Sequence, residues 1–128
     1  MPNSSYFEPQ APAPGLMKID CTFKPAGTGA PTGLTGKGVA SVSRTGVGVF
    51  RLVLSTAYAA LISGQVTLML NAAGSEVAEL AAEDVDGSTP YVDIRIVDKG
   101  AGAAADVAAH ANNRVMVSLT LRNTSSWS

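Results

Sequence analysis

Five stretches of this chain alternate apolar and polar residues with a period of two, and none of comparable length repeats at the helical period. In LMKIDCTF (16–23), Met17, Ile19, Cys21 and Phe23 fall on one face, and Lys18, Asp20 and Thr22 on the other. In VGVFRLVL (47–54), Phe50, Leu52 and Leu54 share a face, opposite Val47, Val49, Arg51 and Val53. QVTLMLN repeats the pattern with Val66, Leu68 and Leu70, and YVDIRIVD with Val92, Ile94 and Ile96. RVMVSLTLR does so with Val115, Val117, Leu119 and Leu121 inward and Arg114, Ser118, Thr120 and Arg122 outward. Alternation of this kind predicts strands with one buried face. A sheet with one solvated face is antiparallel, because a parallel sheet buried on both sides reads apolar throughout.

The intervening segments are read from turn and breaker residues. GVASVS and VGVFRLVL flank Arg44-Thr45-Gly46, which reads as the corner of a β-hairpin. EVAELAAED (76–84) alternates weakly through Ala78, Leu80 and Ala82 and is assigned to a strand. STAYAALIS (55–63), with Ser and Thr ahead of alanines, predicts a short helix or turn. GAGAAADVAAHANN (100–113) predicts a loop with one helical turn, and the Gly-, Pro- and Thr-rich KPAGTGAPTGLTGKG (24–38) a long loop. Six of the seven prolines fall in the first 31 residues, so 1–15 reads as an extended arm of polyproline character. The expected architecture is all-β: one antiparallel β-sandwich, jelly-roll-like, over 16–122, with an N-terminal arm (1–15) and a C-terminal tail (123–128).

The glycines of SRTGVGVFRLVL raise the question of a phosphate loop. Such a loop needs a helix after it, so that backbone N–H groups point at the anion. Here alternating β-branched residues follow, and Arg51 stands where a third glycine of GxGxxG belongs. Gly36-Lys37 fails as a Walker A loop as well, with Pro31 in place of its first glycine and Gly38 in place of Ser or Thr.

Composition narrows the function. The chain has 128 residues, enough for one domain with its own core. Charged residues make up only 15%, with nine Lys and Arg against ten Asp and Glu. A nucleic-acid surface requires many phosphate-neutralising cations, and these nine are scattered, so no nucleic-acid partner is expected. A surface poor in charge suits a chain that packs against other subunits. The single cysteine, Cys21, excludes an internal disulfide and reads as a core thiol. The N-terminal residues lack the basic and apolar regions of a signal peptide, so the Asn-x-Ser/Thr triplets at Asn3 and Asn123 carry no glycosylation reading. No residue from Leu52 to Ser75 is charged, a length that could cross a bilayer. Its scattered Ser, Thr, Gln and Asn, and the lack of a basic flank after it, favour strand, turn and strand, with no membrane partner.

Candidate chemistry is sparse. Glu83, Asp84 and Asp86 cluster before Gly87, which reads as a solvated turn with too few ligands for an EF-hand loop. His110 is the only histidine, four residues after Asp106, so one helical turn could join the two. One His and one Cys cannot make a zinc site, and no GxSxG elbow presents a serine. No catalytic residue, metal ligand or cofactor is assigned, and no enzyme activity is expected. Of the seven aromatic residues only Tyr91 falls on an outward strand face, where a glycan could stack. Trp127, next to last, gains only by burial and is a candidate contact.

SRTGVGVFRLVL, AYAALIS, YVDIRIVD and above all DVAAHANNRVMVSLTLRNTS resemble a family of small bacteriophage virion structural proteins, over about Gly38 to Ser126. The resemblance implies a capsid decoration (cement) protein at the capsid surface, bound to the major capsid protein and associating as a homotrimer. A tail or fibre component and a glycan-binding module are the alternatives. Contact residues expected on this view are Tyr6, Phe7, Pro9, Pro12 and Pro14 of the arm and Trp127 of the tail. An arm already extended by proline loses less entropy on docking.

Overall fold

The structure, a computed structural model, describes residues 15–122. Among them every regular element is a strand: β1 (Leu16–Ala26), β2 (Gly29–Gly36), β3 (Val39–Gly46), β4 (Val49–Leu54), β5 (Ala60–Met69), β6 (Glu76–Asp84), β7 (Tyr91–Asp98), β8 (Ala103–Ala104) and β9 (Arg114–Arg122). They form two antiparallel sheets, the architecture expected from the alternation. The first sheet is ordered β2-β1-β9-β5; the second is ordered β3-β4-β7-β6, with β8 alongside β7.

The alternation is what places the core. Ile19, Cys21 and Phe23 of β1 and Val115, Val117, Leu119 and Leu121 of β9 are buried from the first sheet. Phe50, Leu52 and Leu54 of β4 and Val92, Ile94 and Ile96 of β7 meet them from the second. The four central strands therefore supply nearly the whole core. Phe23 and Phe50 touch across it, with ring centroids 5.2 Å apart and planes tilted by 55°, an arrangement favoured by the ring quadrupoles. Met17, at the start of β1, shares the inward face but is 42% exposed. The edge strand β5 buries Val66 and Leu68 only in part, and on β6 a register shift after Leu80 ends the alternation before Ala82. Where β5 meets β6 at the sandwich corner, a Cβ on Gly64 would lie 2.5 Å from Leu80 Cδ1. Glycine there lets Leu80 close that side.

Four sequence expectations are corrected. The 24–38 segment is a hairpin, not a loop: β1 continues to Ala26 and pairs with β2, with two register shifts. Pro31 is tolerated because β2 is an edge strand, where a missing N–H costs no ladder bond. The corner of the β3–β4 hairpin is Val47-Gly48 rather than Arg44-Thr45-Gly46. Gly48, at φ 66°, supplies the left-handed residue. In 55–63 no helix forms; 55–59 cross from β4 to the first sheet, and Ala60 and Leu61 pair with Arg122 and Leu121 of β9. Strand pairing overrides the helix propensity of alanine and leucine. Residues 100–113 likewise contain no helical turn, because their backbone is bound to other strands.

The two ends of the sandwich differ. At one end the 99–113 segment folds over the opening as a strap. Gly27 N–H donates to Val107 O (2.8 Å) and Ala105 N–H to Ile96 O (3.0 Å). Val107 is buried. At the other end the 55–59 crossover closes the opening, with Tyr58 N–H donating to Val85 O and Ala59 N–H to Arg122 O, both at 2.7 Å. Leu16 and Arg122 are register partners there, so the chain enters and leaves the described domain side by side.

Candidate interaction surfaces

The strap is locked by a charge. Arg44 is the register partner of inward-facing Phe50, which puts its side chain on the inner face of the sheet. Its Nε and a terminal nitrogen donate to the two carboxylate oxygens of Asp106 at 3.0 and 2.8 Å, and Gly48 N–H donates to the same carboxylate at 2.9 Å. These bonds, the Arg44 fork first, hold the Asp106 carboxyl below the usual carboxylate range and raise Arg44 further. Asn113, 4% exposed, ties the strap's far side: its Oδ1 accepts from Asn71 N–H (2.7 Å) and its Nδ2 donates to Ala108 O (2.9 Å).

Asp106 and His110 are not brought together. With no helical turn between them, His110 is exposed, and its Nδ1 accepts from Asn112 N–H at 3.0 Å. Of the acidic cluster, Glu83 accepts from Val85 N–H at 3.0 Å, and Asp84 ends β6. Among the described residues no three His, Cys, Asp or Glu side chains are grouped as metal ligands. Burial first, then the Asp20 carboxylate, pushes the Cys21 thiol up to about 11.

Tyr91 lies on the outer face of the second sheet, but one ring face is taken. The Arg51 guanidinium sits over it at 3.7 Å from the ring centroid. Arg51 also forms a fork with Asp93 at 2.9 and 3.0 Å, which raises its pKa. Sequence reading missed this cluster. Tyr91 and Asp93 share a face by spacing, but only the β4–β7 register sets Arg51 opposite Asp93.

The outer face of the first sheet holds a shallow depression of about 340 Å³, lined by Asp20, Thr22, Thr35, Gln65, Thr67 and Ser118 among others. It has one carboxylate and no imidazole, so it offers hydrogen bonds rather than an acid–base pair. Lys18 Nζ beside it donates to Ser118 Oγ at 2.7 Å.

Tyr6, Phe7, Pro9, Pro12, Pro14 and Trp127, the contacts expected from sequence, lie outside the described residues. The structure does place the points from which their segments depart, next to each other at the Leu16–Arg122 end. No family model matches the chain, and no curated protein or solved structure matches it.

Proposed function

We propose that this chain is a bacteriophage virion structural protein, a capsid decoration protein that binds the major capsid protein at the head surface and stabilises the shell through contacts between subunits. The observation that carries the reading is the polarity of the sandwich. One end is sealed by a strap held by Arg44, Asp106 and Asn113. Both chain ends depart together from the other. Two segments that leave from one point can grip one neighbouring surface while the sandwich holds their origin fixed. Fourteen residues of arm reach at most ~45–50 Å when extended, enough to cross a subunit boundary. Cement work asks for such reach and a rigid core rather than for a catalytic cleft. For the glycan-binding alternative, one face of the Tyr91 ring is occupied by Arg51.

Quantitative mass spectrometry of purified virions tests the reading. A copy number close to that of the main shell protein is expected. A few copies per particle would make the chain a tail or fibre part, and absence from the particle would overturn the proposal. Deletion of residues 1–15 is expected to abolish binding to shells that lack the protein; unchanged binding would refute the role of the arm.

A further inference from the structure

The two outer faces of the sandwich use their cations differently. On the second sheet Arg51 is paired with Asp93 and Arg95 with Glu79. The first sheet has no acidic residue on β2, β5 or β9. Its outer face carries Lys18 and Lys24 on β1 and Arg114 and Arg122 on β9, against one carboxylate, Asp20. β1 and β9 are the inner strands of that sheet, so these cations lie along its middle rather than at its rim. They form two groups. At the strap end, Lys24 and Arg114 each adjoin the Phe23–Val115 register pair and stand side by side. Like charges so opposed are destabilising, and an anion between them relieves the repulsion. The Lys24 stem lies across β2, where a Cβ on Gly33 would sit 3.5 Å from its Cδ. At the other end Lys18, the register partner of Thr120, is one diagonal step from Arg122. Among the described residues Lys24, Arg114 and Arg122 form no ion pair, and Lys18 holds only the exposed Asp20 at 3.7 Å, a weak kind of contact. Between the two groups lies the depression bordered by Thr22, Thr35, Gln65, Thr67 and Ser118.

We propose that the outer face of the first sheet is the docking surface for an acidic polypeptide segment of the shell protein, laid along the β1–β9 seam. Charge complementarity names the chemistry of the occupant, and the spacing of the cations names its form. Lys18 and Lys24 are six residues apart on one strand, ~20 Å at ~3.3 Å per residue. An extended segment with acidic residues about six positions apart meets a cation group at each end. Its intervening polar side chains then lie over the hydroxyl- and amide-lined depression. Nucleic acid fits less well, because a phosphate every few ångströms would set anions over the uncharged middle and against Asp20. The face is also continuous with the exit of the chain. Leu16 and Arg122 end the seam, so the arm and the tail depart beside the Lys18–Arg122 group. Charges of this kind set orientation and association rate as well as affinity. That the partner is the shell protein rests on the virion reading; that the partner is acidic does not.

Two binding measurements on the full chain test it: co-sedimentation with shells that lack the protein, and titration with poly-L-glutamate, with heparin as the competing polyanion. Wild type is expected to bind shells and poly-L-glutamate at about 50 mM salt, about tenfold or more weaker at about 500 mM, as the screening length shrinks several-fold. Lys24→Glu and Arg114→Glu are each expected to weaken both by about tenfold, and Lys99→Glu, an equal change of net charge at the turn after β7, by less than about twofold. Lys24→Gln with Arg114→Gln, which removes charge without adding any, is expected to show the loss with an unchanged thermal midpoint, so that it is not loss of fold. Shell binding that is indifferent to these substitutions overturns the docking face while leaving the virion reading intact. Binding to poly-L-glutamate without binding to shells overturns the shell protein as partner and leaves an acidic one. Binding to heparin but not to poly-L-glutamate assigns the face to an anionic glycan and overturns the proposal.

Discussion

Gly48→Ala is the sharpest probe of the strap that seals one end of the sandwich. Gly48 is held at φ 66°, a conformation that costs an alanine about 1–2 kcal/mol. A Cβ there would also lie 2.5 Å from Ala105 O, 2.7 Å from Ile96 O and 2.9 Å from Ala105 N. These are backbone atoms of the strap and of β7, and neither can rotate away. Ile96 N–H donates to Gly48 O at 2.7 Å and Gly48 N–H to Asp106 at 2.9 Å, so the turn itself is pinned. Forcing the backbone to shift adds about 1–3 kcal/mol. The expected total is about 2–5 kcal/mol, a large part of the ~5–15 kcal/mol that holds a domain folded. Gly27→Ala is the control. Its φ is 63°, and nothing lies within 4 Å of the added Cβ; it should lose only the torsional ~1–2 kcal/mol. Urea unfolding followed by circular dichroism measures both. The Gly48 variant should unfold on the order of 1 M urea earlier than the Gly27 variant at equal m-value. Equal midpoints would refute the seating of the strap against the β3–β4 turn.

Asp106 has a folded pKa below its unfolded value. Its contribution to stability is therefore complete above about pH 4 and lost as pH falls through the lower folded value. The thermal midpoint of Asp106→Asn should lie below wild type at about pH 6, with the gap closing toward about pH 2–3; a gap independent of pH would refute the ion pair. Asn113→Ala leaves Asn71 N–H and Ala108 O without their partner, and should cost about 2–4 kcal/mol in urea unfolding. A loss under about 0.5 kcal/mol would show that water replaces it. Cys21, 5% exposed with its thiol pushed up to about 11, should resist a thiol reagent at about pH 8 in the folded chain and react promptly in urea; rapid labelling of the native protein would place it at the surface.

The sequence by itself determined that the chain is an antiparallel β-sandwich and which side chains of its central strands fill it. Period-two alternation is a local property of one strand, so Phe50, Leu52 and Leu54, or Val115 to Leu121, could be assigned to the core without a partner strand in view. Tertiary structure alone decided what depends on pairing between distant segments. The backbone of 24–38 and of 60–63 is held by ladders to β1 and β9, against a composition that reads as loop, or as helix or turn. Arg44 finds Asp106, Arg51 finds Asp93 and Tyr91, and Asn113 finds Asn71, over sequence separations of about forty to sixty residues. Each of these meetings is set by register, and register is a relation between strands that no single stretch of sequence encodes. The same holds for the exit of the described domain: its two ends lie side by side only because the last strand pairs with the first.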